Sequence, residues 1–147
     1  MRLTTHTDYA FRLLIHLAAV PPGERVTIAA VAAAYGIPKN HLTKVAHRLG
    51  LAGYVVTLRG KGGGLRLARP MAAINLGAVV RETEPNMALA PCFAAPSRSC
   101  PILPACDLVG ILREAEQAFL AVLDRHSLAD LVSRKSVLRH LLTAAPA

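Results

Sequence analysis

Cys92, Cys100 and Cys106 stand within fifteen residues of one another, and the chain holds no fourth cysteine. Pairing two of them as a disulfide leaves a thiol over. A structural zinc site built from one chain takes four ligands, usually with its cysteines in close pairs. Here seven residues separate the first two cysteines and five the second two. Three thiolates on one loop can hold an iron–sulfur cluster when a fourth ligand comes from elsewhere. Soft sulfur also selects Zn or Cu(I), so the donor type alone leaves the metal open. No His or Cys follows closely after Cys106, and Asp107 is too near in sequence to share its metal comfortably. The bland alternative is three small buried hydrophobes. Against it stand Pro85, Pro91, Pro96, Pro101 and Pro104, which stiffen a polar loop around the thiols.

A second chemistry is carried by cations. The net charge is +8, and residues 1–70 hold ten Lys and Arg against Asp8 and Glu24, whereas residues 71–147 hold seven of each sign. From Pro38 to Arg69 there are seven basic residues and no acid. Positive charge concentrated in this way points to a polyanion, with nucleic acid the default partner. A merely solvated basic face is the alternative.

The elements that must present those residues follow from periodicity. Asp8 to Val20 reads as a helix with Leu13, Leu14, Leu17 and Ala18 on one face, broken by Pro21-Pro22-Gly23. Thr27 can cap a second helix that stops at Gly36. Pro38 suits the first position of a third helix running to about Leu49. Two short helices across a Gly-containing turn form a helix-turn-helix signature. Tyr54–Leu58 and Leu65–Leu67 then flank a glycine-rich turn, which makes a hairpin, and a hairpin in this position is the wing of a winged-helix domain. The same glycines lack the Lys-Ser/Thr ending of a nucleotide phosphate loop and open no helix.

A fourth helix spans roughly Leu76 to Glu84, and a long helix runs from Asp107 to about Arg125. In the long helix Leu108, Leu112, Ala115, Phe119 and Val122 step by four and three, a coiled-coil-like seam. It can pack on its own domain, but the winged head is self-contained and a dimer contact is favoured. A short helix at Leu128–Val132 and an apolar tail at Val137–Leu142 complete the chain. The expected fold class is mainly α: a winged helix-turn-helix with a two-stranded wing, a cysteine loop and a long C-terminal dimerisation helix. The expected divisions are a DNA-binding domain over 1–84, a cluster loop over 85–106, and a dimerisation helix with its tail over 107–147.

Within the third helix, Lys39, Thr43 and Lys44 suit phosphates. Asn40, His41 and His47 can reach base edges in the major groove. At the wing tip Arg59, with Lys61 beside it, suits a narrow minor groove. No apolar run approaches the ~18–20 residues a membrane span needs. The opening MRLTTHTDYA has no signal-peptide core before its first acid. A cytoplasmic protein that meets no membrane is expected.

Taken together, MRLTTHTDYA, YGIPKNHLTKV, AGYVVTLRGKGGGLRLARP, INLGAVVRETEP, the three cysteines and SLADLV resemble the iron–sulfur winged-helix repressors that include IscR. Asp8, the RETEP segment and SLADLV are closest to the nitric-oxide-sensing branch. The resemblance implies a homodimer on an inverted-repeat DNA operator, with one iron–sulfur cluster per subunit, [4Fe–4S] or [2Fe–2S]. IscR-type members have a ligating His three residues past the last Cys, where this chain has Val109. In the nitric-oxide branch the resemblance implies that Asp8, donated by the partner subunit, is the fourth ligand. An acid in the first turn of a helix also simply complements the helix dipole. The gap between Cys92 and Cys100 is longer than the four or five residues usual in the family. The implied function is a repressor that releases its operator when nitric oxide nitrosylates the cluster. The alternative is a sensor of iron–sulfur status or redox of the IscR type. Nothing beyond the thiols supports an enzyme, since no Cys-base or Ser-His-Asp motif is present.

Overall fold

Thr4 starts the first helix. Its hydroxyl accepts from the Thr7 amide at 3.3 Å, and α1 runs Thr5–Ala19. The helix therefore begins a turn earlier than its apolar face indicates, because the cap at Thr4 precedes the first buried residue. The computed structural model describes residues 2–21, 23–58, 60, 63–93 and 100–143. Met1, Pro22, the wing-tip Arg59 and Lys61 with Gly62, residues 94–99 including Pro96, and residues 144–147 lie outside the described residues.

Thr27 caps α2 (Ile28–Tyr35) by accepting from the Ala30 amide at 3.1 Å. Gly36 ends that helix at φ 62°, the left-handed conformation a side chain would strain. Pro38 is the extended residue just before α3 (Lys39–Leu51), one place earlier than expected. After α3, Gly53 turns the chain into β1 (Val55–Leu58), which pairs antiparallel with β2 (Gly64–Leu67), Val55 opposite Leu67 and Leu58 opposite Gly64. Val26 adds a single bridge to the wing, its carbonyl accepting from the Leu65 amide at 2.7 Å. Nothing around Val26 has a strand period, so this third pairing partner is visible only in three dimensions.

α1 lies behind the helix-turn-helix and packs on α2, α3 and α4 (Leu76–Thr83), burying Leu13 and Leu14 with Leu42, Leu49 and Val79. Asn75 caps α4 by accepting from the Ala78 amide at 2.9 Å, while its Nδ2 donates to the Asp124 carbonyl at 2.7 Å. Arg81 on α4 meets the Asp124 carboxylate through two contacts of 2.6 and 2.7 Å. Asp124 is the last residue of α5 (Asp107–Asp124), so these bonds pin that end of the long helix to the head.

The expected seam of α5 divides in two. Leu112 and Phe119 are half-buried, whereas Leu108, Ala115 and Val122 are exposed. α5 leans on α4 along one side only, and no residue of it is fully buried. The chain closes with α6 (Leu128–Leu131), capped reciprocally by Ser127 and Asp130, and α7 (Lys135–Thr143). The segment expected as an apolar tail is thus an amphipathic helix, with Leu138 packed against the core. Among the described residues no helix is long and apolar enough to cross a membrane.

Candidate nucleic-acid interface and cysteine loop

One face of α3 is buried through Leu42, Val45, Ala46 and Leu49. Its other face exposes Lys39, Asn40, His41, Thr43, Lys44 and His47, all six of the helix residues expected to meet DNA. The amphipathic pattern dictates this division, because α1 and α2 cover only the apolar stripe. The Asn40 Oδ1 accepts from the His41 amide at 2.9 Å, and the Thr43 hydroxyl donates to the Lys39 carbonyl at 2.9 Å. Both side chains are exposed, which leaves the Asn40 Nδ2 donors and the Thr43 lone pairs accessible to a ligand. Neither Lys39 nor Lys44 meets a carboxylate among the described residues. The His41 ring lies 6.3 Å from that of Tyr9 on α1, which orients one edge of the surface.

Two further arginines near this surface have structural work instead. Arg48 pairs with Glu82 at 2.8 Å and donates to the Glu82 carbonyl, which ties α3 to α4. Arg69 donates to the Gly53 and Ala52 carbonyls at 2.8 and 3.2 Å and lies 4.8 Å over the Tyr54 ring. It caps the C-terminal end of α3. Arg66 on β2, by contrast, is exposed and extends the basic face onto the wing. Its place between Leu65 and Leu67 in an alternating strand is the signal by which it is found. Arg59 and Lys61 lie outside the described residues.

The cysteines occupy short turns between head and long helix. Cys92 sits in a 3₁₀ turn at Pro91–Phe93, and Cys100 accepts from the Leu103 amide at 3.2 Å through its carbonyl. Cys106 is the N-cap of α5. All three are free and half-buried. The adjacent Phe93 ring lies 5.9 Å from the Arg113 guanidinium of α5. Among the described residues no group of three or more His, Cys, Asp or Glu side chains is placed to hold a metal ion. The single chain therefore does not gather Asp8 and the three cysteines. Asp8 is instead held at 2.9 Å by Arg12, whose guanidinium lies 5.8 Å from the Tyr35 ring. By donor chemistry, three unpaired and partly accessible thiols fit the soft demand of an iron–sulfur cluster.

A link that sequence separation conceals joins Asp8's helix turn to the base of the loop. Glu84 accepts from the Thr4 amide at 2.8 Å and from its hydroxyl at 3.1 Å. The Thr7 hydroxyl donates to that of Thr83 at 2.9 Å, and Thr83 donates on to the Val79 carbonyl. The start of α1 thus rests on the end of α4, immediately before Pro85 opens the cysteine segment.

The profile of the Rrf2 family, described as iron-dependent transcriptional regulators, matches residues 3–134. The chain belongs to the Rrf2 family. It is 50% identical over 142 residues to the HTH-type transcriptional regulator NsrR of Bacillus subtilis, covering 97% of each chain. It is 48% identical over 142 residues to NsrR of Geobacillus kaustophilus, again over 97% of each. Among solved structures it is similar to Staphylococcus aureus CymR in its oxidised form, with TM-score 0.72 and 22% identity over 90% of this chain and 97% of that one. T. potens IscR also gives TM-score 0.72 at 22% identity, over 90% of this chain and 86% of that one. These two likenesses concern the fold, and they agree with the winged helix read from the sequence. This Rrf2 member is a DNA-binding transcriptional regulator and not an enzyme.

Proposed function

We propose that this regulator is a homodimeric repressor that senses nitric oxide through an iron–sulfur cluster held in each subunit. The observation that carries the reading is the set of three free, half-buried thiols between the DNA-reading head and the long helix α5. Full-length similarity to the NsrR relatives supports it. Cys92, Cys100 and Cys106 would hold the group, with Asp8 of the partner subunit as the remaining ligand. This donor set suits either a [4Fe–4S] or a [2Fe–2S] cluster. When bound, such a cluster supplies iron atoms with which nitric oxide reacts. A surface ion pair between residues four apart is worth only ~0.3–0.5 kcal/mol, so Arg12 offers Asp8 little resistance to leaving. Val109, half-buried on α5, stands where the IscR type of site has its histidine, which disfavours the iron-status alternative.

The proposed divisions follow the elements: a head over 1–84, a ligand-holding loop over 85–106, and a dimerisation segment over 107–147. Ligands in the loop would brace Cys106 and with it the start of α5. A partner's Asp8 would tie the two heads together across the dimer. Releasing both restraints would let the two α3 helices drift from half-sites spaced by a helical turn or a multiple of it, and the inverted-repeat operator would be freed. Such a protein acts in the cytoplasm, where its DNA lies.

Anaerobic purification followed by nitric oxide titration tests this reading. A coloured protein whose visible absorbance bleaches in step with loss of operator binding is expected. A colourless protein that takes up only zinc would overturn it. The Asp8→Ala variant should lose its chromophore faster while keeping its far-ultraviolet circular dichroism. An unchanged spectrum and response would remove Asp8 from the ligand set.

A further inference from the structure

At the opposite end of α1 from its contact with Glu84, the end of α1, the connection into α2, α2 and α7 line a cleft of about 250 Å³. That is below the ~300–1,000 Å³ of pockets for drug-sized ligands, so a small metabolite is the right scale. Its charged lining combines Glu24 and Arg25 from the connection with Arg139 from α7, beside the half-buried Val20 and Leu142. Arg139 is fixed by its Nε, which donates to the Ala19 carbonyl at 3.1 Å. Neither Arg139 nor Glu24 has an ion-pair partner among the described residues. His16 completes the wall. It is 8% exposed, and its Nδ1 has no hydrogen-bond partner.

We propose that this cleft binds a free α-amino acid with a small apolar side chain. The carboxylate would pair with Arg139 and Arg25, the ammonium with Glu24, and the side chain would cover Val20 and Leu142. A simple anion would face Glu24 unpaired, and a simple cation would face two guanidiniums. A molecule carrying both charges meets every charged group of the lining. Because α7 packs on α1 and on α2, the first helix of the DNA-reading unit, an occupant would stiffen the head directly. The site is independent of the thiols, and its test does not depend on a cluster.

The experiment is thermal unfolding of the intact protein with L-leucine or L-methionine, set beside N-acetyl-leucine, leucine methyl ester and acetate. A ligand at about tenfold excess over its Kd should raise Tm by about 3–5 °C. The two derivatives, each lacking one charge, and acetate should shift it far less. Glu24→Gln, a change at an exposed residue, should abolish most of the leucine shift while leaving the unliganded Tm close to the parent's. Arg139→Gln should abolish it as well. Equal shifts from leucine, its derivatives and acetate would overturn the proposal, as would no shift at all or a leucine shift that survives both variants.

Discussion

His16 is a titratable side chain buried against the core. Burial holds its imidazole below the ordinary pKa of 6.5, against the smaller opposing pull of Glu24. Its folded pKa is thus depressed, so the unfolded chain takes up the proton first as pH falls. The stability contributed by burying the neutral ring is present above about pH 6.5 and is lost as pH drops through the folded value. The charged groups facing it from neighbouring elements are Glu24, Arg25 and Arg139, and Tyr35 packs edge-on at 5.9 Å. A His16→Phe variant should show a flatter dependence of the urea midpoint between about pH 7 and pH 5. A parallel curve for variant and parent would count against this account. At this scale the exposed face of α3 was legible, since Leu42, Val45, Ala46 and Leu49 mark its inside and leave Lys39, Asn40 and Lys44 outside. The partners of Glu84 were not, because Thr4 lies eighty positions away.

Elements were legible where caps and periods coincide. Thr27 and Gly36 bracket α2, Asn75 opens α4, and Asp107 opens α5, each close to where the residues place it. α7 was harder to see, because Arg139 and His140 interrupt its short apolar run and only Leu138 reaches the core. The wing has a similar hidden dependence. A Cβ on Gly64 would come within 2.9 Å of the Val26 carbonyl oxygen, which is backbone and cannot swing away. Gly64→Ala should therefore separate Val26 from β2 and cost roughly 1–3 kcal/mol, as crowding in a packed site does. Chemical denaturation measures the loss, and a neutral result would show that the wing tolerates the displacement. At Gly77 a Cβ would meet the Asp124 carboxylate that Arg81 holds, a side chain that would have to shift.

For the whole molecule, α5 is the element whose purpose a single chain leaves incomplete. Leu108 and Ile111 are 57% and 62% exposed, and with Ala115, Ala118 and Val122 they form an unbroken stripe at heptad spacing. A second copy packing on that stripe is the proposed partner. Ile111→Glu should convert the dimer to monomer in analytical ultracentrifugation, with unchanged helicity and weakened operator binding. A dimer that persists would place the interface elsewhere. The basic face makes a separate prediction for the assembly. Operator affinity should fall steeply with salt, and Lys44→Ala should reduce the slope of log K against log salt by about 1. An unaltered slope would remove Lys44 from the phosphate contacts.

The sequence by itself determined the kinds of chemistry available: three thiols without a fourth, a basic first half, and an amphipathic third helix. Those depend on residue type and local period, which no distant contact alters. Only the tertiary structure decided which cations are free. It assigned Arg48 and Arg69 to carbonyls at helix ends and left Lys39, Lys44 and Arg66 facing outward. It also set the start of α1 on the base of the cysteine segment, aligned the exposed stripe of α5, and enclosed the cleft beside His16. Each of these joins residues far apart in the chain, and such pairings follow from the packing of whole helices rather than from any local pattern.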